Sequence, residues 1–213
     1  MHELKNKLQL ILASQSPRRK ELLGWLEIPF LTIPSNAEEN SNASDSSLVV
    51  KEHTLIKGRD VFSKRSGNVL VVSSDTVVEI SGEILGKPKS KVESREHILK
   101  LANKTHQVHT GVAILARIES EIFEHYFEVI SKVTFDEIDE GLLEDYIECG
   151  EGMDKAGAYG IQGRALSFIS YLEGSYSNVV GFPLSDFVRE LKSFIECHIE
   201  LNQKNWRSVF KSV

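Results

Sequence analysis

The stretch VLVVSSDTVVEI, from Val69 to Ile80, decides the fold class of this chain. Its nearly unbroken run of β-branched and other apolar residues predicts a buried strand. Ser81-Gly82 then predicts a turn, after which the chain returns toward Ile84-Leu85 as a second, short strand. The run and the segment after its turn therefore predict two neighbouring strands of a sheet.

The segments on either side of this run alternate between strand and helix patterns. Upstream, the apolar run from Leu8 to Ala13 predicts a strand, and Ser16 followed by Pro17 predicts the N-cap and first residue of a helix. The polar, aperiodic stretch 36–47 predicts a loop. Downstream, we predict strands over 106–116, 126–134 and 166–172 and helices over 94–103, 137–149 and 184–199. This alternation predicts an α/β fold.

The length and composition predict a single domain with a deep cleft, spanning residues 1–213, in which 202–213 form a frayed tail. The 213 residues are 41% hydrophobic and 26% charged, which is typical of a globular protein. No apolar run reaches the roughly 18 residues that a membrane span needs. The first residues lack an apolar signal core, and the two cysteines form no metal-binding spacing. We therefore expect a cytoplasmic protein with no membrane partner.

The formal net charge of −6 argues against a surface that binds the nucleic-acid backbone, so we expect no nucleic-acid partner. A basic cluster, Arg18-Arg19-Lys20, nevertheless lies in the first turn of the helix that starts at Pro17. The helix dipole disfavours each cation there by about 0.3–1 kcal/mol. The cluster is explained by an anion bound at this helix start, or by a solvated basic turn that pairs with Glu21.

Asp75 is out of character with the strand in which it lies, because aspartate neither packs well nor favours strand geometry. A carboxylate in the middle of a sheet commonly holds a divalent metal or activates a water molecule. The alternative is an edge strand or bulge on which Asp75 faces solvent. A break between local pattern and fold is typical of functional sites.

The segment MDKAGAYGIQG, from Met153 to Gly163, carries three glycines at a spacing of three beside Lys155 and Gln162. Such glycines predict a backbone that approaches a ligand closely, although ordinary turns also use this spacing. The chain contains neither the phosphate-binding pattern G-x-x-x-x-G-K-[ST] nor the dinucleotide pattern G-x-G-x-x-G. Any nucleotide site must therefore be of another kind.

Five segments, taken in order along the chain, resemble the Maf family. They are LILASQSPRRKELL (10–23), SSDTVVEISGEILGKP (73–88), THQVHTGVAI (105–114), MDKAGAYGIQG (153–163) and GSYSNVVGFPL (174–184). The resemblance implies an elongated, mixed-sheet α/β fold similar to that of inosine triphosphate pyrophosphatases, with two lobes around a nucleotide cleft. It also implies a nucleoside triphosphate pyrophosphatase that uses a divalent metal, Mg²⁺ or Mn²⁺, and a homodimer.

The resemblance also implies roles for individual residues, matched motif to motif. Asp75 takes the role of proton acceptor, and Glu38 or Glu39 matches the acidic metal position, where we expect Glu39 together with Asp75. The substrate-specificity positions match Arg18, Thr76 and Gln162. The phosphate-handling positions resemble Ser14, Arg19, Lys57, Lys87 and Lys155. The chain departs from the family at 53–58, which fits its helix poorly, and at Phe182, where leucine is usual.

Arg18, Thr76 and Gln162 resemble the branch of the family that acts on dTTP and UTP, so hydrolysis of these nucleotides to monophosphate and pyrophosphate is the expected activity. Such an enzyme limits incorporation of non-standard nucleotides and is linked to cell-division arrest. Two enzymatic alternatives are a 7-methyl-GTP pyrophosphatase and a broad house-cleaning pyrophosphatase. A third alternative is a non-catalytic regulator of septum formation, although such a module has no need of Asp75, the two arginines and Lys155 together.

Overall fold

The computed structural model describes residues 7–200 and 205–211 as a mixed sheet with helices on both faces. The strands are β1 (Gln9–Leu12), β2 (Phe30–Thr32), β3 (Val69–Ile80), β4 (Glu83–Leu85), β5 (Thr105–Ile118), β6 (Glu121–Phe135) and β7 (Ile169–Glu173). The helices are α1 (Pro17–Gly24), α2 (Ser46–Ser63), α3 (Lys91–Leu101), α4 (Glu140–Cys149), α5 (Tyr176–Val180) and α6 (Leu184–His198). Short 3₁₀ turns cover Ala156–Ala158, Arg164–Phe168 and Trp206–Val209.

The strand order is β2-β1-β3-β5-β6-β7, with β4 paired to β3. The two pairs that involve β1 are parallel, and the other pairs are antiparallel. The alternating apolar residues of β1 and β3 face two different layers. Leu12 and Val72 pack against α1 and α6, whereas Ile11 and Val71 pack against α2. The predicted α/β class with a mixed sheet is therefore what the structure has.

Strand β3 has an opening along one of its two edges. One edge pairs with β5 from Val69 to Glu79 without interruption. The other edge pairs with β1 over Val69–Val72 and with β4 over Val78–Ile80, which leaves 73–77 without a strand neighbour on that side. Asp75 lies at the centre of this opening. The strand is therefore central in the sheet and locally open at one edge.

Several element boundaries differ from the predicted ones for local reasons. Helix α3 begins at Lys91, three residues earlier than predicted, because the Ser90 side chain caps it by accepting a hydrogen bond from Glu93 N at 3.2 Å. Strand β7 begins at Ile169, because the preceding residues form a 3₁₀ turn. Helix α2 begins at Ser46, inside the predicted loop, and Asp45 is its N-cap.

The prediction of a frayed tail is wrong for residues 205–211. Val209 and Phe210 are buried, and Phe210 forms a parallel β-bridge with Leu8. Backbone hydrogen bonds at 2.8–2.9 Å tie both Val209 and Lys211 to Leu8. Residues 202–204 and 212–213 lie outside the described part of the chain. Within that described part, no helix is both long and apolar enough to cross a membrane.

Candidate active site

A cleft of about 640 Å³ opens at the unpaired edge of β3. This volume falls within the range of about 300–1,000 Å³ that small-molecule sites occupy. The turn between β1 and α1 forms one wall, and the glycine-rich segment after α4 forms another. The end of a parallel strand and the start of the next helix commonly form a ligand crevice in α/β sheets. Every residue predicted for the site lines this cleft: Ser14, Arg18, Arg19, Glu39, Lys57, Asp75, Thr76, Lys87, Lys155 and Gln162.

Asp75 is buried, with 8% of its surface exposed, and both of its carboxylate oxygens are engaged. Lys57 Nζ donates to Oδ1 at 2.6 Å, and His53 Nδ1 lies 3.1 Å from Oδ2. Burial acts to raise the pKa of Asp75, but the His53 hydrogen bond and the charges of Lys57 and Arg19 outweigh it and hold the pKa at about 2. Asp75 is therefore ionised at neutral pH, and the solvent-facing alternative is excluded.

Lys57 connects Asp75 to the loop that precedes α2. Its ammonium group lies 2.8 Å from Glu39 Oε2 as well as 2.6 Å from Asp75 Oδ1. Of the two acidic residues predicted for the metal position, Glu39 therefore reaches the site, whereas Glu38 accepts a hydrogen bond from the Asn40 side chain instead. The poor match of 53–58 to the family pattern does not displace Lys57 from the cleft.

Three side chains with metal-binding atoms converge beside Lys57. One ligand atom from each of Glu39, His53 and Asp75 lies within 4.8 Å of the other two. The two carboxylates are suitable ligands for a divalent cation such as Mg²⁺ or Mn²⁺, and the imidazole adds a nitrogen donor, so the donor set fits a divalent metal. Sequence reasoning missed His53. The available signal was its spacing of four residues from Lys57, which places both side chains on one face of α2.

The start of α1 brings two arginines to the cleft wall. Ser16 caps the helix by accepting from Arg19 N at 3.4 Å, and Ser14 Oγ accepts from Ser16 N at 3.1 Å. Arg18 points across the cleft, where Nη1 lies 3.3 Å from Asp154 Oδ2. The predicted anion site at this helix start thus has the expected donors, and Arg18 pairs with a carboxylate on the opposite wall.

Arg19 uses three of its five N–H donors to hydrogen-bond neighbouring segments of the cleft wall. Nε donates to the Gly181 carbonyl at 2.9 Å, Nη1 to the Ser74 carbonyl at 2.7 Å and Nη2 to Thr76 Oγ1 at 3.1 Å. These bonds join α1, β3 and the turn after α5. The other two N–H groups of the guanidinium take no part in these three hydrogen bonds.

Thr76 faces the opposite side of β3 from Asp75 and belongs to a directed hydrogen-bond chain. Thr110 Oγ1 donates to the Asn178 carbonyl at 3.0 Å, because a carbonyl can only accept. The hydrogen between Thr76 and Thr110, whose hydroxyl oxygens lie 3.0 Å apart, must then come from Thr76. Thr76 accepts from Arg19 and donates to Thr110, so its single hydrogen is not available to a ligand.

The glycine-rich segment places Lys155 and Gln162 in the cleft wall. Lys155 Nζ contacts Asp154 Oδ1 at 2.6 Å and also donates to the Glu151 carbonyl. The glycines make room for the protein's own side chains. A Cβ atom on Gly160 would meet Lys155 Cε at 2.7 Å, and one on Gly163 would meet the Glu151 carboxylate. Both glycines also line the cleft, and a close approach of their backbone to a ligand stays a prediction.

Gln162 and Lys87 are exposed on the cleft wall. Gln162 follows Ile161 in the glycine-rich segment. Several apolar and aromatic side chains also line the cleft: Val78, Val108, Tyr159, Ile161, Val179 and Val180. The cleft therefore combines the charged groups around Asp75 with apolar side chains.

Comparison with known proteins identifies the family of this chain. A family model described as Maf-like protein matches residues 9–194. The chain belongs to the Maf family. The resemblance carried by the five segments is thereby confirmed over most of the chain, and the match includes every predicted site residue.

Curated relatives within the Maf family cover nearly the same length. A protein from Lachnoclostridium phytofermentans named dTTP/UTP pyrophosphatase is 39% identical over 187 residues, which is 87% of this chain and 95% of the relative. A relative of the same name from Bacillus anthracis is 43% identical over 187 residues, with the same coverage. Another, from Bacillus cereus, is 42% identical over 193 residues, or 90% of this chain and 93% of the relative.

Among solved structures, this Maf-family chain is similar to a HAM1 protein from Coxiella burnetii. The TM-score is 0.50 and the sequence identity 19%, and the match covers 87% of this chain and 99% of that chain. At this identity the likeness concerns the fold alone. It confirms the mixed-sheet fold of the inosine triphosphate pyrophosphatase type.

Proposed function

We propose that this Maf-family protein hydrolyses dTTP and UTP to the nucleoside monophosphate and pyrophosphate in the cleft at the open edge of β3. One observation carries the proposal: a buried, ionised Asp75 lies where a sheet strand lacks a neighbour, facing basic side chains from separate segments. The names of the curated relatives support the choice of nucleotides. The proposal includes a cytoplasmic location, where these substrates occur.

The cleft can neutralise a triphosphate. The substrate carries about four negative charges, which must be balanced in a site with little water. Arg18 and the helix start of α1 bind one part of the chain of phosphates, and the remaining N–H groups of Arg19 support the same region. Lys87 and Lys155 contact the phosphates that leave as pyrophosphate, and Ser14 offers its hydroxyl at the turn that precedes the helix.

A divalent cation, Mg²⁺ or Mn²⁺, is part of the proposal. Glu39 and Asp75 would hold it, since a carboxylate oxygen of each lies within 4.8 Å of the other. When bound, such a cation supplies charge neutralisation and polarises the phosphate under attack. Removal of divalent cations with EDTA is expected to abolish turnover, and addition of Mg²⁺ or Mn²⁺ is expected to restore it. Full activity in EDTA would contradict this part of the proposal.

Asp75 orients the attacking water and accepts its proton as the water attacks the α-phosphate. The bond between the α-phosphorus and the bridging oxygen breaks, and pyrophosphate leaves with that oxygen. Lys57 keeps Asp75 ionised in the free site through its contact of 2.6 Å. In this scheme Thr76 acts by holding Arg19 in place, because its hydrogen is already donated to Thr110.

The base binds against apolar side chains of the cleft, where Gln162 selects it. The edge of thymine or uracil presents a carbonyl acceptor and a ring N–H donor, and the Gln162 amide offers one group of each kind. Cytosine reverses this pattern at the same edge. An unmatched polar group in such a site costs about 1–3 kcal/mol.

A pyrophosphate-release assay over a panel of nucleotides tests the proposal. The panel contains dTTP, UTP, dCTP, the purine nucleotides and 7-methyl-GTP. The highest kcat/KM is expected for dTTP and UTP. A strong preference for 7-methyl-GTP, or equal rates for all nucleotides, would overturn the specificity. The absence of any turnover across the panel would favour the non-catalytic regulator.

A further inference from the structure

His53 faces the same carboxylate as Lys57 but takes a different oxygen. Both residues project from one face of α2, one helical turn apart. Lys57 Nζ contacts Asp75 Oδ1, whereas His53 Nδ1 lies 3.1 Å from Oδ2. The imidazole is largely buried, with 17% of the side chain exposed. Oδ2, the carboxylate oxygen of Asp75 that Lys57 does not contact, therefore has the imidazole nitrogen of His53 beside it.

Glu39 is the third side chain in the group that His53 and Asp75 form. Its carboxylate is 44% exposed and lies on the loop before α2, so it can adjust its position. The ligand atoms of Glu39, His53 and Asp75 already lie within 4.8 Å of one another. Ligand bonds to first-row divalent metals are about 2.0–2.2 Å long, so two ligands of one ion lie no more than about 4.4 Å apart, and the three atoms would have to draw closer together on a shared ion.

We propose that His53 is a nitrogen ligand of the divalent cation and that the site consequently selects Mn²⁺ over Mg²⁺. Mg²⁺ takes oxygen ligands and keeps several of its waters. Mn²⁺ shares the preference for carboxylates, but as a first-row transition metal it exchanges a water for an imidazole nitrogen more readily than Mg²⁺ does. The neutral imidazole adds a bond without adding negative charge. This inference rests on the proposed function, in which Glu39 and Asp75 hold a cation.

The competing explanation is that His53 only hydrogen-bonds Asp75 and orients it. Two variants separate the explanations. His53→Leu removes both the ligand and the hydrogen bond, and His53→Gln keeps a donor for Asp75 without the imidazole nitrogen. The matched control is His125→Gln, since His125 also pairs with a carboxylate, Glu190, but lies outside the cleft.

The test is the binding of Mn²⁺ to the full chain in the absence of nucleotide, monitored by electron paramagnetic resonance. Pulsed spectra of the bound ion are expected to show ¹⁴N coupling in the unmodified protein and in His125→Gln, and to lack it in both His53 variants. We expect Mn²⁺ to bind at least about tenfold more tightly than Mg²⁺, and each His53 variant to lose most of that preference. Circular dichroism checks that the variants are folded.

Absence of imidazole ¹⁴N coupling in the unmodified protein would overturn the inference, as would an unchanged Mn²⁺ preference in both His53 variants. Hydrolysis of dTTP with Mg²⁺, measured on the same preparations, separates this failure from failure of the proposed function. Hydrolysis without nitrogen coupling contradicts the role of His53 alone. Nitrogen coupling without hydrolysis supports the ligand and contradicts the activity.

Discussion

The guanidinium group of Arg19 donates a hydrogen bond to Thr76 Oγ1 across 3.1 Å, and Thr76 in turn donates to Thr110, whose own hydrogen is held by the Asn178 carbonyl. Thr110→Val keeps the volume but leaves the half-buried Thr76 hydroxyl hydrogen without its acceptor. We expect the free energy of unfolding to fall by about 1–3 kcal/mol and kcat/KM for dTTP to fall as Arg19 loses its support. Urea denaturation and steady-state kinetics measure the two effects.

The exposed pair formed by Thr105 and Thr134 is the matched control for this prediction. Their hydroxyl oxygens lie 2.8 Å apart on the neighbouring strands β5 and β6. Thr105→Val makes the same chemical change in solvent, so it is expected to alter stability by less than about 0.5 kcal/mol and leave kcat/KM unchanged. Equal effects of the two variants would show that the buried chain has no special part in the site.

Gln162→Glu tests base selection. The change removes the amide donor and adds a charge where the base is proposed to bind, so we expect kcat/KM for dTTP and UTP to fall by about tenfold or more. Because Gln162 is exposed, the melting temperature is expected to change little. Gln15→Glu, also on the cleft wall, controls for the added charge and should lower activity toward all nucleotides alike. An unchanged ratio of dTTP to dCTP activity in Gln162→Glu would contradict its role.

His106 makes the stability of the fold depend on pH. Burial lowers its pKa from the ordinary value of 6.5 to about 4, and Nε2 lies 2.7 Å from the Tyr159 hydroxyl. Between pH 6.5 and about pH 4, His106 therefore binds a proton in the unfolded chain but not in the folded chain. This contribution to stability is full above pH 6.5 and is lost as the pH falls toward 4. At pH 5 the loss amounts to about 2 kcal/mol.

His106→Gln removes this titration while keeping a hydrogen-bonding group near Tyr159. We expect the loss of stability between pH 7 and pH 5 to be smaller in the variant than in the unmodified protein, as measured by urea denaturation at both pH values. Other groups titrate equally in the two proteins and cancel in the comparison. Identical pH dependence would show that His106 is not the group responsible.

Local pattern was sufficient for every strand of the sheet except β2 and for the helix that opens at Pro17. The β-branched run of β3 and the Ser16 cap each report on a few adjacent residues, so the sequence predicts them well. Helix α2 was harder, because Asp45 and Ser46 lie in a polar stretch that reads as a loop. Burial of Phe210 depends on Leu8 at the other end of the chain, and no local signal reports such a contact.

The same difference between local pattern and contacts of distant residues applies to the candidate site. Asp75 was recognisable because it interrupts an apolar strand, but its access to the cleft follows from the opening between β1 and β4, which is a property of the sheet. His53 became a candidate only through the packing of α2 over Asp75. The resemblance to the Maf family supplied roles that no spacing in the sequence could supply. It did not indicate that Arg19 and Thr76 bond to each other.

Asp75→Asn tests the residue on which the proposed chemistry depends. The substitution is nearly isosteric and removes the negative charge that Lys57 and His53 contact. We expect a folded protein whose kcat for dTTP falls by at least about a hundredfold, which is about 2.7 kcal/mol in the barrier. Activity within about tenfold of the unmodified protein, a change of only about 1.4 kcal/mol, would contradict the assignment of Asp75.

The central claim is that water attacks the α-phosphate of a pyrimidine nucleoside triphosphate in this cleft. Hydrolysis of dTTP in ¹⁸O-labelled water, followed by mass spectrometry of the products, tests it most directly. The account predicts one ¹⁸O atom in dTMP and none in pyrophosphate, since the oxygen that enters stays on the α-phosphorus. Label in pyrophosphate, or orthophosphate as the first product, would contradict it.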